Sequence, residues 1–177
     1  SVPGIDRDLR VRGDGFWQVH RDAAGVLVDS VRRAVGDPGE GTVLDLYCGA
    51  GLLGIGLAEQ GHAVVGIEGS APAVADAVAN ADGLDARFEV GRVEAVADLS
   101  GARAAVLDPP RSGAGPAVVD ALLTSSVERV VHVSCDGATL ARDLKRLAAG
   151  GFRVSSVLAH DLFPVTGHLE FVAVLDR

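Results

Sequence analysis

Apolar residues along this chain fall into short strand-like runs, and stretches with a helical period separate them. Thr42–Tyr47 (TVLDLY) is strand-like and ends before Gly49, and a Gly- and Leu-rich helical stretch follows to about Gln60. His62–Glu68 predicts a second strand, with a helix from Ala71 to about Ala81. Ala86–Val90 predicts a weaker third strand and Ala104–Asp108 a fourth. Pro109 and Pro110 stop the fourth, because proline has no amide hydrogen to give to a ladder. A helix from Pro116 to about Leu123, a strand at Arg129–Ser134 and a helix over Ala138–Ala149 follow. Gly150–Gly151 ends that helix. Phe152–Ala159 and Leu169–Leu175 then read as two strands with no helix between them. Before the first strand, a helix from about Arg21 to Val35 can cover one face, whereas Ser1–Gly15 shows no clear period.

Strands alternating with crossover helices predict an α/β, Rossmann-like fold with a mostly parallel, doubly wound sheet. The last two strands, joined by a short connection, are expected to pair antiparallel at one edge. Residues 16–177 read as one domain, and residues 1–15 as a lead-in where an upstream region would attach. The chain holds no Met and begins at Ser1, so the expectation is a processed start or a piece of a longer protein.

Composition narrows this picture. A hydrophobic share of 48% in 177 residues supports a packed core. Neither an apolar run of membrane-spanning length nor a basic, apolar leader is evident. Two cysteines do not make a disulfide framework, so a reducing, cytoplasmic setting is expected. The net charge of −8 gives no general attraction to a polyanion.

Ligands of open α/β sheets bind beyond the carboxyl ends of the strands, so the residues just after each run carry the information. Cys48-Gly49-Ala50-Gly51-Leu52-Leu53-Gly54 follows the first run and fits G-x-G-x-x-G at the start of a helix. Glu68 ends the second run, where a carboxylate accepts bonds from a ribose diol. Together they point to a nucleoside cofactor, with a dinucleotide left open. Asp108-Pro109-Pro110-Arg111 closes the fourth run, either as a stiff pocket wall or as a rigid surface turn. Ser134-Cys135-Asp136 closes the fifth, directly before a helix. A helix N-terminus stabilises a thiolate, although a lone cysteine is also often a small buried hydrophobe. Cys48 is read as a packing residue.

Four segments in this order, DLYCGAG (Asp45–Gly51), DPPRSG (Asp108–Gly113), SCDGATLARDL (Ser134–Leu144) and DLFPVTGHLE (Asp161–Glu170), resemble the RNA uracil-C5 methyltransferases, which make 5-methyluridine in tRNA and rRNA. FWQVH at Phe16–His20 is similar to the family's segment ahead of its first catalytic-domain helix. The resemblance implies a class I methyltransferase fold, S-adenosylmethionine as cofactor, S-adenosylhomocysteine as product and an RNA substrate. It implies no metal and no membrane. Gln18, Tyr47, Glu68 and Asp108 match the family's cofactor positions, with Gly49, Gly51, Leu52 and Arg92 around them. Cys135 matches its nucleophile and Glu170 its proton acceptor. Phe163 and His168 are weaker candidates. Asp136-Gly137 stands where the family has Asn-Pro, and an acid there is expected to raise the pKa of the neighbouring thiol. His20 replaces an Asn. The family's upstream RNA-binding region has no match here, so weak RNA binding is expected of this span. A methyltransferase with another substrate, an NAD-linked oxidoreductase and a binding module without independent activity are the alternatives.

Overall fold

The computed structural model of the chain describes residues 2–18, 20–95, 99, 101–162 and 169–177. Its strands are β1 (Thr42–Leu46), β2 (Val64–Glu68), β3 (Ala86–Val90), β4 (Ala102–Leu107), β5 (Arg129–Ser134), β6 (Arg153–His160) and β7 (Glu170–Asp176). Its helices are α1 (Ala23–Val35), α2 (Leu52–Glu59), α3 (Ala71–Asn80), α4 (Gly115–Thr124) and α5 (Gly137–Ala149), with a 3-10 turn at Val93–Ala95. One sheet runs in the order β3-β2-β1-β4-β5-β7-β6. The pairs from β3 to β5 are parallel, and β7 is antiparallel to both β5 and β6. The expected sheet with its antiparallel edge hairpin is present.

Alternation along β1 shows why the sheet is covered on both sides. Val43 packs with α1, α2 and α3 in one apolar cluster, whereas Leu44 and Leu46 pack with α4 and α5 in another. A strand buried on both faces must be apolar at nearly every position, which explains the continuous run. Asp45 is the exception within it and is 1% exposed.

Several strand bounds differ from expectation by one or two residues. β1 stops at Leu46 because Tyr47 adopts φ 66°, where its amide and that of Cys48 both turn onto the Ile67 carbonyl. β2 begins at Val64, because buried His62 faces the Gly36 carbonyl and the Arg103 guanidinium in the preceding turn. β4 extends back to Ala102.

Residues 2–12 have no regular secondary structure yet are strapped to the domain. Val2 and Ile5 are buried in the core, and the Arg7 guanidinium bonds Glu59 and the carbonyls of Asn80 and Asp82. Buried Asn80 receives the Arg10 amide on Oδ1 and donates from Nδ2 to the carbonyls of Arg10 and Ala50. One side chain therefore ties the strap to the glycine-rich turn.

The chain path sets the location of the site. β1 neighbours both β2 and β4, so connections leave β1 and β4 toward opposite sides of the sheet. The crevice expected at such a switch point lies beyond Leu46 and Leu107.

Candidate active site

On one side of this crevice the glycine-rich turn forms a tight cradle. Gly49 (φ 53°) and Gly51 (φ 88°) are left-handed, and Gly51 caps α2. A Cβ on Gly51 would lie 3.0 Å from Ile55 Cδ1 and 3.2 Å from Phe88 Cζ, whereas one on Gly49 would meet nothing within 4 Å. The turn is thus packed hard beneath and open above. The Gly54 amide donates to Asp45 Oδ2 at 2.8 Å, and Asp45 Oδ1 is buried without a protein partner. Burial pushes the Asp45 carboxyl up to about 7, against the pull of the Gly54 amide and with help from Asp108 and Glu68. Glu68 accepts the Gly49 amide on Oε2 at 3.2 Å and the Ser70 amide on Oε1 at 2.8 Å, so its carboxylate is fixed at the rim.

These features fit a nucleoside cofactor. An open glycine backbone admits a flat ligand, a fixed carboxylate keeps lone pairs for a ribose diol, and Asp45 offers a buried acceptor for a donor group. Tyr47 reaches across the crevice, where its hydroxyl donates to the Ala114 carbonyl at 3.2 Å. Its pKa rises to about 12 through burial, with Glu94 and Asp143 contributing. Arg92 is exposed and pairs loosely with Glu94 at 4.0 Å. Leu52 opens α2 and packs half-buried against the core, so it offers apolar contact. Gln18 is half-buried in the loop before α1, and Phe16 beside it is 78% exposed. Among the described residues Gln18 makes no hydrogen bond to the strand-end cluster.

On the other side stand Cys135 and Glu170. Ser134 is in register with Phe171 across β5 and β7, so the residues just outside that pair, Cys135 and Glu170, emerge at the same end. Glu170 is 5% exposed, and Cys135 is half-buried and unpaired. Burial pushes the Glu170 carboxyl up to about 7, and the charge of Asp108 adds to the rise. Burial itself raises Asp108 to about 6, offset in part by His132. Asp108 thus acts on both Asp45 and Glu170, which puts it between the two halves of the crevice.

The Cys135 pKa is raised, as an acid beside it leads one to expect, but by other groups: burial and then the Glu170 charge outweigh the pull of Arg111. Asp136 is not the source of that rise. It is the N-cap of α5, and its Oδ1 accepts the Thr139 amide at 2.8 Å and the Thr139 hydroxyl at 3.1 Å. Those bonds hold its own carboxyl below the usual range. As N-cap, Asp136 satisfies a free amide of the first turn of α5. Cys48 is buried against the core with its thiol pushed up by burial, in keeping with a packing role. Phe163 and His168 lie outside the described residues.

Comparison with known proteins adds to this geometry. Residues 19–133 match the "Methyltransferase small domain" family and residues 100–177 the "tRNA (Uracil-5-)-methyltransferase" family. The chain is 45% identical to an uncharacterized RNA methyltransferase of Streptomyces coelicolor, over 97% of this chain and 39% of that protein. It is 44% identical to another from Gloeobacter violaceus, over 96% and 38%. The structure of Pyrococcus abyssi tRNA (uracil-54, C5)-methyltransferase with S-adenosyl-L-homocysteine superimposes with a TM-score of 0.87 at 35% identity. It covers 96% of this chain and 42% of that one. The chain belongs to the methyltransferase small domain family, and its C-terminal part matches the tRNA (uracil-5-)-methyltransferase family. It spans about two fifths of the length of these relatives.

Within a member of this family, two functional features escaped the sequence reading. The sequence marks Arg111 only as part of DPPR, yet its guanidinium pulls the Cys135 pKa down. It is the one basic residue of DPPRSG, and that was the available signal. The buried pair His132 and Asp143, 3.4 Å apart beneath the same loop, carried no local signal.

Proposed function

We propose that this chain is the catalytic domain of an RNA methyltransferase. It takes S-adenosylmethionine as donor and methylates carbon 5 of a uridine in tRNA or rRNA through a covalent Cys135 adduct. The observation that carries the reading is the convergence of Cys135, Glu170 and Arg111 at the crevice whose other wall is the glycine-rich turn. Tyr47, Gly49, Gly51, Glu68 and Asp108 would hold the donor, with Gln18, Leu52 and Arg92 at its margin. When bound, the donor supplies an electrophilic methyl group on a sulfonium.

The chain's own residues supply the rest. Carbon 5 of uracil is a poor nucleophile, so the ring must first be activated. Cys135 as thiolate adds to carbon 6, forming a sulfur–carbon bond and moving the ring's π electrons into an enolate. Carbon 5 of that enolate is the atom that accepts the methyl. Glu170 as carboxylate then takes the proton from carbon 5, the carbon 5–carbon 6 double bond reforms, and Cys135 leaves as thiolate. Arg111 favours the thiolate at both ends of the sequence. A carboxyl pushed up to about 7 is a stronger base than an ordinary glutamate while still half-ionised at neutral pH.

The test is methyl transfer to a uridine-containing RNA hairpin. Cys135→Ala abolishes transfer while stabilisation by S-adenosylhomocysteine survives, and Glu170→Gln accumulates a protein–RNA adduct on a denaturing gel. Turnover by Cys135→Ala at the normal rate overturns the mechanism. One number favours a second reading, in which this span binds the donor but needs further sequence to engage RNA: it covers only 39% of the Streptomyces coelicolor relative. Donor binding without transfer by the unaltered chain would support that reading.

A further inference from the structure

The segment between β4 and α4 carries Arg111, and three anchors fix it. At its start, the Asp108 amide donates to the Leu46 carbonyl at 3.2 Å. In the middle, the Gly113 amide donates to the Pro110 carbonyl at 2.8 Å, closing a turn that has Arg111 and Ser112 at its corners. At its end, the Ala114 amide donates to Asp143 Oδ2 at 2.8 Å, and Arg142 Nη2 donates to the Ser112 carbonyl at 2.7 Å. Asp143 is 2% exposed and also accepts from Arg142 at 3.1 Å, with His132 Nε2 3.4 Å away. His132 Nδ1 in turn faces the Val133 carbonyl at 2.9 Å, so the histidine is locked to β5 just ahead of Cys135. Gly113 lies at φ 82°, and a Cβ there would sit 2.6 Å from Asp143 Oδ2 and 2.5 Å from Arg142 Nη2. The turn is pressed onto this pair.

Ala114 is gripped from both sides, its amide by Asp143 and its carbonyl by the Tyr47 hydroxyl. A buried carboxylate accepting several hydrogen bonds is rigid, and removing it leaves a buried amide unpaired. We propose that Asp143 is a positioning residue: by fixing residues 110–114 it keeps the Arg111 guanidinium where its charge acts on the Cys135 thiol, and Ala114 on Tyr47 at the cofactor side. Burial raises the Asp143 carboxyl, but its bonds to His132, the Ala114 amide and Arg142 more than offset this, so it stays ionised.

The inference rests on Cys135 being the nucleophile, yet its test reads the thiol directly, with no RNA and no methyl donor. The rate of Cys135 alkylation by iodoacetamide is followed against pH by peptide mass spectrometry, which separates it from Cys48. Arg111→Ala and Asp143→Ala each slow alkylation at neutral pH about tenfold, the effect of a one-unit rise in the thiol pKa. The double variant is no slower than either single one, because both changes remove the same guanidinium contact. Asp143→Asn keeps an acceptor for the Ala114 amide, so it stays within about twofold of the unaltered chain and serves if the alanine variant does not fold. An unchanged profile in folded Asp143→Ala, additive slowing in the double variant, or tenfold slowing in folded Asp143→Asn overturns the proposal. If the cycle holds while methyl transfer is never observed, the reaction assigned above fails and this positioning role stands.

Discussion

Cys135 and Glu170 leave the sheet side by side, one residue beyond the Ser134–Phe171 pair of the β5–β7 ladder. The carboxylate faces the thiol closely enough for its charge to raise the thiol pKa. A base and a nucleophile that both carry negative charge oppose each other's ionisation, and Arg111 is the counterweight. This tension makes the pair testable without substrate.

Removing the charge of Glu170 should make Cys135 more acidic. In Glu170→Gln the iodoacetamide profile of Cys135 is expected to move to lower pH, with faster alkylation at neutrality. A profile that stays in place or moves up would show that Glu170 does not act on the sulfur.

The proton-abstraction step requires ionised Glu170, whose carboxyl is pushed up to about 7 by burial and by Asp108. In single-turnover assays, release of the RNA adduct should therefore quicken as pH rises through about 7 and then level off. Asp108→Asn removes one cause of the rise and shifts that transition downward. Adduct decay independent of pH between about 5 and 9 would rule out Glu170 as the base.

Stability should depend on pH through the same buried acids. Asp45, Asp108 and Glu170 stand at about 7, 6 and 7, whereas exposed carboxyls titrate near ~4. Between about pH 4 and 7 the folded state keeps protons that the unfolded chain releases, so this contribution is complete below that window and disappears as pH rises through it. Tm is expected to fall from about pH 4 to pH 7. Asp45→Asn, which stays neutral, should flatten that fall and raise Tm at pH 8 by several degrees. An Asn variant with the same slope as the unaltered chain would contradict the cause assigned here.

Asn80 links the N-terminal strap to the glycine-rich turn through three hydrogen bonds. Asn80→Ala leaves buried backbone groups unpaired and should cost about 2–4 kcal/mol in chemical denaturation. Because the Ala50 carbonyl loses its partner, the variant should also bind S-adenosylhomocysteine more weakly by calorimetry. Equal affinity would confine Asn80 to holding the strap.

The sequence by itself determined the order of elements, the antiparallel edge and the strand ends at which to look. Apolar runs, helical periods, glycine turns and proline stops are local signals, and the rule that ligands gather at carboxyl ends needs only the strand order. The resemblance to the RNA uracil-C5 methyltransferases likewise brought Cys135, Glu170 and the donor-side residues to notice. Tertiary structure decided what acts on the thiol. Asp136 is adjacent in sequence but spends its carboxylate on Thr139, while Glu170, distant along the chain, becomes the neighbouring charge because β7 pairs with β5. Tyr47 looked like the last residue of a strand, and only the Ile67 carbonyl beside it explains the turn. Nothing local singles out Asp143, and its partners come only from burial under residues 112–114. Burial, charge and hydrogen bonding depend on which residues meet in space, and the pattern along a chain records that only where the partners are also near in sequence.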